Sequence, residues 1–263
     1  MAFPDGLDTD RPNVARLYDY FLGGQHNFAA DRELARRLLE AEPNARYIVA
    51  ENRAFLGRAV RFLLAAGIGQ FLDLGSGIPT QENVHEIAQR GNPAARVIYV
   101  DNDDVAVAHS KHLLRDIQGA AVVHADLRDP GSVAGHPGVT ALIDFSRPVA
   151  LLMVTVLHFV PDADDPAGVV AKFADVLAPG SFLAISHATH EAAPGRAAQV
   201  QELYKSSSAS AHPRTRAEIM ALFAGFELVE PGLVFLPSWR PDGAEPEQPE
   251  RAWFYAGVGR KVG

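Results

Sequence analysis

The hydrophobic pattern divides the chain into two parts. Before residue 67, apolar positions recur three and four residues apart, which is the spacing of amphipathic helices. Pro12 suits the first turn of a helix, and the Gly23-Gly24 pair ends it. We predict three helices here, over 12–22, from residue 31, and over 44–64. Because no strand pattern separates them, residues 1–66 are predicted to form an N-terminal helical cap.

After Gly67, short apolar runs alternate with helical segments, which predicts a parallel sheet with right-handed crossovers. Continuous apolar runs such as 149–154 are typical of strands covered on both faces. The last two strands are joined by a loop and are predicted to form an antiparallel hairpin at one sheet edge. The predicted strands are 70–74, 96–100, 120–124, 149–154, 182–187, 227–236 and 253–260. The predicted helices are 82–90, 105–115, 166–177, 195–204 and 216–223, and 129–140 is predicted to be a surface connection.

The fold class that follows is α/β, a doubly wound and mostly parallel seven-stranded sheet with an antiparallel last strand. The cap, 1–66, and a ligand-binding domain, 67–263, are predicted to form one structural unit. Ligands of such sheets bind beyond the carboxyl ends of the strands, where the strand order reverses. The residues that follow each predicted strand are therefore the first candidates for a binding site.

The first predicted strand ends in the turn Asp73-Leu74-Gly75-Ser76-Gly77. Glycines here let a ligand approach the backbone closely. A dinucleotide site would have a third glycine where Thr80 stands, and it would not place Asp73 beside a pyrophosphate. A ligand with a sulfonium and an ammonium group would instead be stabilised by that carboxylate, which indicates S-adenosylmethionine. The alternative is an ordinary strand–turn–helix connection that uses its glycines only for the tight turn.

Two further strands end in an acidic residue. Asp101, followed by Asn102, is placed to accept hydrogen bonds from both ribose hydroxyls. Asp126, followed by Leu127, is placed to accept one from an adenine amino group. Thr155, after the fourth strand, would lie near the amino acid part of the cofactor. Each acid alone could be a helix N-cap, but acids at three successive strand ends favour a cofactor site.

These motifs resemble those of the class I S-adenosylmethionine-dependent methyltransferases. More narrowly, the chain resembles a bacterial methyltransferase family formerly catalogued as a domain of unknown function. The matching segments are 16–24, 83–86, 100–103, 225–232 and 239–241. The resemblance implies methyl transfer from S-adenosylmethionine, bound by the 67–263 domain, and it leaves the acceptor unassigned. The predicted cofactor-binding residues are Asp73, Gly75, Ser76, Gly77, Asp101, Asn102, Asp126, Leu127, Thr155, Arg16 and Tyr18.

The cap contributes polar candidates of its own. Arg16 could hold the cofactor carboxylate bidentately. Tyr18 or His26 could face the acceptor, and Asn27 lies in the same loop. The alternative is that Tyr18 packs in the apolar stripe and Arg16 lies on the solvated face of its helix.

Histidines follow the fourth and fifth strands. His158 is a candidate general base, since an unperturbed imidazole pKa of roughly 6.5 suits proton transfer near neutrality. His187 is a candidate substrate-binding residue, and both it and His190 are alternatives to His158 as the base. Each could instead be a structural histidine with satisfied hydrogen bonds.

Composition narrows the classes of protein. The 263 residues include no cysteine, which excludes disulfides, thiolate metal sites and a cysteine nucleophile. The net charge of −8 argues against nucleic acid as a partner. No long apolar span predicts membrane insertion, and no histidine spacing predicts a metal site. We therefore expect a cytoplasmic protein, monomeric or homodimeric.

The function predicted is methyl transfer to a small-molecule or protein acceptor. The first alternative is a catalytically silent protein that binds S-adenosylmethionine and acts as a regulator or partner-binding module. A weaker alternative is an NAD-dependent oxidoreductase, against which the missing third glycine counts.

Overall fold

A computed structural model of the protein describes residues 8–79 and 82–263. Three helices precede the sheet, as predicted: α1 (Val14–Phe21), α2 (Ala29–Ala41) and α3 (Ala45–Ala65). Asn13 caps α1, because its side-chain oxygen accepts hydrogen bonds from the amides of Ala15 and Arg16 at 2.8 and 3.2 Å.

The sheet has the predicted doubly wound order. Its neighbouring strands are β3, β2, β1, β4, β5, β8 and β6 in that sequence, with β7 also paired to β8. Strands β1 to β5 pair in parallel, and β8 runs antiparallel to β5, β6 and β7. The strands are β1 (Gln70–Leu74), β2 (Arg96–Asp101), β3 (Ala120–His124), β4 (Ala150–Val154), β5 (Phe182–Ala188), β6 (Phe226–Leu228), β7 (Val234–Phe235) and β8 (Phe254–Lys261).

Two details differ from the prediction. The strand predicted over 227–236 is two short strands, since the chain turns between them through Gly232 at φ +85°. The described part of the chain thus has eight strands and not seven. The predicted surface connection 129–140 contains two short helices, each with proline in its first turn. The helices after β1 are α4 (Val84–Gly91), α5 (Asp104–Leu113), α6 (Pro130–Ala134), α7 (Pro137–Thr140), α8 (Pro166–Val176), α9 (Pro194–Tyr204) and α10 (Arg216–Ala221).

Alternate side chains of the strands enter two separate hydrophobic cores. On one face, Phe71, Val97 and Leu152 pack with residues of α1, α2 and α3. On the other face, Leu72 and Ile98 pack with residues of α8 and α10. Because the cap helices share a core with the sheet, they form one wall of any cleft at that face.

Candidate active site

A cavity of about 480 Å³ lies between the cap and the carboxyl ends of the parallel strands. It is bordered by residues that follow β1, β2, β3 and β4. The order of the sheet reverses here, since β1 lies between β2 and β4. The volume is that of a small-molecule site. The cavity therefore occupies the place that the fold offers for a ligand.

The two glycines of the first turn have different reasons to be glycine. Gly75 has φ +71°, and a Cβ there would lie 2.2 Å from Cγ2 of Val156. Gly77 has φ +65°, but a Cβ there would meet no described atom within 4 Å. Both line the cavity, as does Ser76, whose buried Oγ has no hydrogen-bond partner among the described residues. The turn thus leaves room and one unpaired polar atom for a ligand; Thr80 lies outside the described residues.

Asp73 and Asp101 are two buried carboxyls in the cavity wall. Burial raises the pKa of Asp73 to about 7, with Arg53 opposing the rise and Asp101 adding to it. Burial also raises the pKa of Asp101 to about 6, against hydrogen bonds from the amides of Gly77 and Asp103 at 2.7 and 2.9 Å. Desolvated carboxylates close together are costly when charged. A cationic ligand would offset that cost, whereas a pyrophosphate would increase it.

Asp126, Leu127 and Asn102 also line the cavity. The Asp126 carboxylate is bound by the guanidinium of Arg128, with Nη2 at 2.6 Å, and Arg128 also bonds Asp164 at 2.9 Å. The hydrogen bond from Arg128 lowers the pKa of Asp126. Any adenine contact of this carboxylate must therefore share it with Arg128.

Thr155 and Tyr18, both predicted, are connected by a hydrogen-bond chain. The Thr155 amide donates to Oγ of Ser186 at 3.0 Å, and that hydroxyl donates to Oδ1 of Asn52 at 2.6 Å. Asn52 Nδ2 donates to the Tyr18 hydroxyl at 2.9 Å. Thr155 has φ +59°, which is unfavourable for a β-branched residue and is typical of functional sites. The chain fixes the position of the cap relative to the end of β4.

Arg16, predicted to hold the cofactor carboxylate, does not line the cavity, and its donors are used within the protein. It is 2 % exposed, and its Nε binds Asp31 Oδ2 at 2.8 Å. Its Nη1 and Nη2 bind the carbonyls of Asp8 and Arg11. These bonds anchor the segment before α1 to α2. A buried guanidinium with three such partners is structural.

Arg53 is the cap arginine that does line the cavity. It follows Asn52 on α3, in a stripe with Ile48, Val49 and Leu56 that faces the cavity at helical spacing. The signal in the sequence is the pair of polar residues Asn52 and Arg53 inside an apolar stripe. Residues 44–64 are predicted above only as a helix of the cap.

His26 and Asn27, predicted to contact the substrate, do not line the cavity either. Both are held by the buried carboxylate of Asp19, which accepts from the His26 amide at 2.8 Å and from Asn27 Nδ2 at 3.0 Å. A Cβ on Gly24 would lie 2.0 Å from Asp19 Oδ1. The polar loop after α1 therefore satisfies one buried acid.

His187, predicted to bind the substrate, has both ring nitrogens hydrogen-bonded within the protein. It is fully buried and lies outside the cavity wall. Its Nε2 accepts from Nη1 of Arg214 at 2.9 Å, so its Nδ1 donates to the Ala188 carbonyl at 2.8 Å. Burial lowers the pKa of His187 to about 3. The alternative base His190, whose Nδ1 bonds the Pro213 carbonyl at 3.2 Å, also lies outside the cavity wall.

His158 does line the cavity, but its chemistry differs from the prediction. Its ring lies against Phe159, His187 and Phe254, and its Nδ1 has no partner in the described structure. Burial lowers its pKa well below the ordinary histidine value, and the nearby His187 and Arg214 lower it further. A neutral imidazole of this kind is a weak proton acceptor, so the pKa argument for a general base does not hold.

Apolar residues of the cap helices, α9 and the start of β8 form another part of the cavity wall, and most of them are buried. Sequence reasoning missed this wall because its residues are distant in the chain. They include Phe21, Leu38, Ile48, Val200, Tyr204 and Trp253.

Within residues 8–79 and 82–263, no helix is both long enough and apolar enough to span a membrane. No group of three or more histidine, aspartate or glutamate side chains there is arranged to hold a metal ion.

The sequence was compared with known families and proteins. The sequence model of a family described as S-adenosyl methyltransferase matches residues 2–262. No curated protein matches the chain.

Two solved structures match nearly the whole chain. A candidate methyltransferase from Thermobifida fusca YX is 42% identical, with a TM-score of 0.93 over 99% of this chain and 98% of that one. A DUF574 family protein from Streptomyces avermitilis MA-4680 is 40% identical, with a TM-score of 0.93 over 97% and 99% of the two chains. The N-methyltransferase NodS from Bradyrhizobium japonicum WM9 shares the fold, with a TM-score of 0.52 at 14% identity over 84% and 99%.

Proposed function

Because this chain belongs to the S-adenosyl methyltransferase family, and is thus an S-adenosylmethionine-dependent methyltransferase, we propose a division of its cavity. The cofactor lies at the carboxyl ends of β1, β2 and β4, and a small-molecule acceptor lies under the helical cap. The observation that carries this proposal is one cavity with two unlike ends. One end has buried carboxylates and the glycine turn, and the other has buried apolar side chains from the cap.

The residues at the polar end fit S-adenosylmethionine. Each oxygen of Asp101 accepts one backbone hydrogen bond and keeps a lone pair for a ribose hydroxyl. Asp73 and Arg53 present opposite charges, which suit an ammonium and a carboxylate respectively. Gly77 leaves space, and Ser76 Oγ lacks a partner within the described chain. Asp126 is proposed to contact the adenine amino group, as the sequence predicts, and Asn102 and Leu127 are proposed as further cofactor-binding residues.

S-adenosylmethionine supplies a methyl group on a sulfonium that is itself the leaving group. The work left to the chain is to align the acceptor and to exclude water. Thr155 and Tyr18 are held by the Ser186–Asn52 chain and can fix the boundary between cofactor and acceptor. His158 is proposed as a neutral hydrogen-bonding group of the wall and not as a proton acceptor.

A small-molecule acceptor is favoured over a protein acceptor by the cap. Phe21, Ile48 and Val200 line the apolar end and are nearly inaccessible to solvent. A protein side chain would have to enter through this covering, whereas a small apolar molecule can be enclosed by it.

Three other expectations stand as proposals. The boundary of cap and ligand-binding domain lies near residue 66, where α3 ends and Gly67 follows at φ +87°. A cytoplasmic location and the absence of nucleic-acid partners are supported by the cysteine-free composition and the net charge of −8. A monomer or a homodimer is proposed without a structural argument for either.

Titration calorimetry with S-adenosylhomocysteine tests the cofactor site. We expect binding to the wild-type protein, and Asp101→Ala should weaken it by about 1–3 kcal/mol, the cost of unpaired buried polar groups. Asp104→Ala is the matched control, since its side chain is 74% exposed at the start of α5. Tighter binding of NAD than of S-adenosylhomocysteine, or equal binding by Asp101→Ala and the control, would overturn the assignment.

A further inference from the structure

Unpaired polar atoms are concentrated around the active-site cavity. Seven buried side-chain nitrogen or oxygen atoms lack a hydrogen-bond partner within residues 8–79 and 82–263. Four belong to residues that line the cavity: Glu42, Ser76, His158 and Trp253. Buried polar groups are nearly always paired, so such a cluster indicates groups that a ligand completes. Ser76 belongs to the cofactor turn, and the other three lie outside it.

Glu42 is the charged member of this set. It follows α2 and is 2 % exposed, and its Oε1 accepts from the Asn44 amide at 2.8 Å. Its Oε2 has no hydrogen bond from the described residues. The cation nearest to it is Arg196 on α9, whose Nη1 lies 3.5 Å from Oε2, beyond the length of a charge-assisted hydrogen bond. Arg196 is 46% exposed and does not line the cavity.

The cavity that Glu42 lines also has apolar and aromatic residues in its wall. Leu38, Ala45 and Val200 are among them, as are the rings of Tyr204 and Trp253. A carboxylate in such a wall is costly unless it gains a partner of positive charge. Aromatic rings also attract cations through their faces. The wall therefore discriminates against anions and favours an apolar body with a positive group.

Trp253 adds a second requirement. Its indole nitrogen can only donate, and it lacks an acceptor among the described residues. The residue is held at φ +35°, and its carbonyl accepts from the Thr189 amide at 3.0 Å. This places a fixed ring and an unused donor in the same wall as Glu42.

Building on the proposed function, we infer that the methyl acceptor is a small aromatic molecule that carries a protonated amine. Its amine pairs with Glu42, and its ring lies among the aromatic side chains of the cap end. Arg196 gives up its long contact with Glu42 when the amine binds. The amine is the anchoring group, and the atom that receives the methyl group is not specified by these contacts.

Three probes with one skeleton and three charges test the inference. They are 2-phenylethylamine, 2-phenylethanol and phenylacetate, titrated calorimetrically into protein saturated with S-adenosylhomocysteine. We expect the amine to bind roughly ten- to one-hundred-fold tighter than the alcohol, the range of a charge-assisted hydrogen bond. The carboxylate should bind most weakly. Equal affinity for amine and alcohol, tighter binding of the alcohol, or no measurable binding of the amine would overturn the inference.

Matched variants locate the effect. Glu42→Gln should abolish the preference for the amine, whereas Glu40→Gln, the same change at an exposed position of α2, should keep it. Arg196→Gln removes the competing cation from a half-exposed site and should tighten amine binding by roughly two- to fivefold. This variant tests the inference even if Glu42→Gln does not fold. A preference that survives Glu42→Gln, or an amine affinity reduced by Arg196→Gln, would contradict it.

The affinity for S-adenosylhomocysteine separates the two levels of the argument. If the wild-type protein does not bind S-adenosylhomocysteine, the proposed cofactor site is wrong. If it binds and the three probes show no charge preference, the cofactor site stands and the inference about the acceptor falls.

Discussion

The two ends of the active-site cavity are built on different principles. The cofactor end is polar, and its groups follow four strands whose order and direction the fold dictates. The proposed acceptor end is mainly apolar, with Glu42 as its buried charged residue, and its groups come from the cap, α9 and the start of β8. The first end depends on backbone turns with positive φ at Gly75, Gly77 and Thr155. The second depends on side chains that meet only when the cap packs on the sheet.

This difference separates what a fold provides from what one protein adds to it. Strand ends at a topological switch point offer a ligand site in any doubly wound sheet. The cap supplies further residues of the cavity wall, and under the proposed function these contact the acceptor. Substitutions at the cofactor end should therefore change the unfolding free energy and its dependence on pH. Substitutions at the acceptor end should change which acceptor binds.

The largest effect is expected from adding one methyl group to the glycine turn. In Gly75→Ala the new Cβ would lie 2.2 Å from Val156 Cγ2 at φ +71°. Overpacking and left-handed strain together predict a loss of about 3–4 kcal/mol in unfolding free energy. Gly77→Ala has open space at φ +65° and should lose only about 1 kcal/mol.

Urea unfolding of Gly75→Ala and Gly77→Ala measures the difference in unfolding free energy. Calorimetry measures the affinity of Gly77→Ala for S-adenosylhomocysteine. Gly77→Ala should fold and yet bind S-adenosylhomocysteine more weakly, because its methyl group projects into open space at the turn. Equal destabilisation by the two substitutions would remove the distinction between a packing glycine and a ligand-facing one.

A smaller effect, specific to the cofactor end, is expected from pH. Burial raises the pKa of Asp73 to about 7 from an ordinary 3.8. The protonated form is thus favoured in the folded state, and this stabilising contribution is complete below pH 3.8. It is lost as the pH rises through about 7. Without cofactor, Asp73 alone should lower the unfolding free energy by roughly 2–3 kcal/mol between pH 5 and pH 8.

The pH effect is measured by urea unfolding at both pH values. Asp73→Asn should remove this part of the pH dependence and leave the smaller part from Asp101, whose pKa burial raises to about 6. Asp116→Asn makes the same change at an exposed position and should not alter it. Since the buried His158 and His187 shift the wild-type stability in the opposite direction over this range, the decisive comparison is between the two proteins. If Asp73→Asn showed the same change in unfolding free energy between pH 5 and pH 8 as the wild type, the Asp73 carboxyl would not be desolvated.

The predictions for Asp73, Gly75, Gly77 and Asp101 rest on local signals, and the structure places these residues around one cavity. Asp73 and Asp101 each lie next to a predicted strand and a turn in the chain. The periodicity of the hydrophobic pattern therefore predicts that both acids lie at the same edge of the sheet. The family match confirmed the fold, the cofactor and the reaction class. A local signal also explains why the predicted strand 227–236 is two strands in the structure. Pro231-Gly232 is typical of a turn, and the prediction did not take it into account.

Several polar residues have partners in the structure that residue spacing alone does not predict. Arg16 is an arginine suited to a carboxylate, but Asp31 and two backbone carbonyls take its donors. His187 is fixed by Arg214, and Glu42 enters the cavity wall only because α2 and α9 pack together. Which partner a polar side chain meets depends on tertiary packing, and residue spacing alone does not contain it.

The smallest effect is expected at the acceptor end, from His158. Burial lowers the pKa of His158 well below its ordinary value, so the ring should stay neutral between pH 5 and pH 8. NMR titration of labelled histidine, with His158→Gln to assign the signal, should show no midpoint in that range. His158→Gln should also change S-adenosylhomocysteine affinity by less than about threefold, since the residue lies outside the glycine turn and its acids.

A general base contributes about 10²–10⁴-fold to a rate, and a neutral ring with an unpaired Nδ1 can contribute a hydrogen bond but not that factor. A midpoint near pH 6.5 would return His158 to the role of base. The contrast with Asp73 would then disappear, because both ends of the cavity would carry a group that titrates near neutrality.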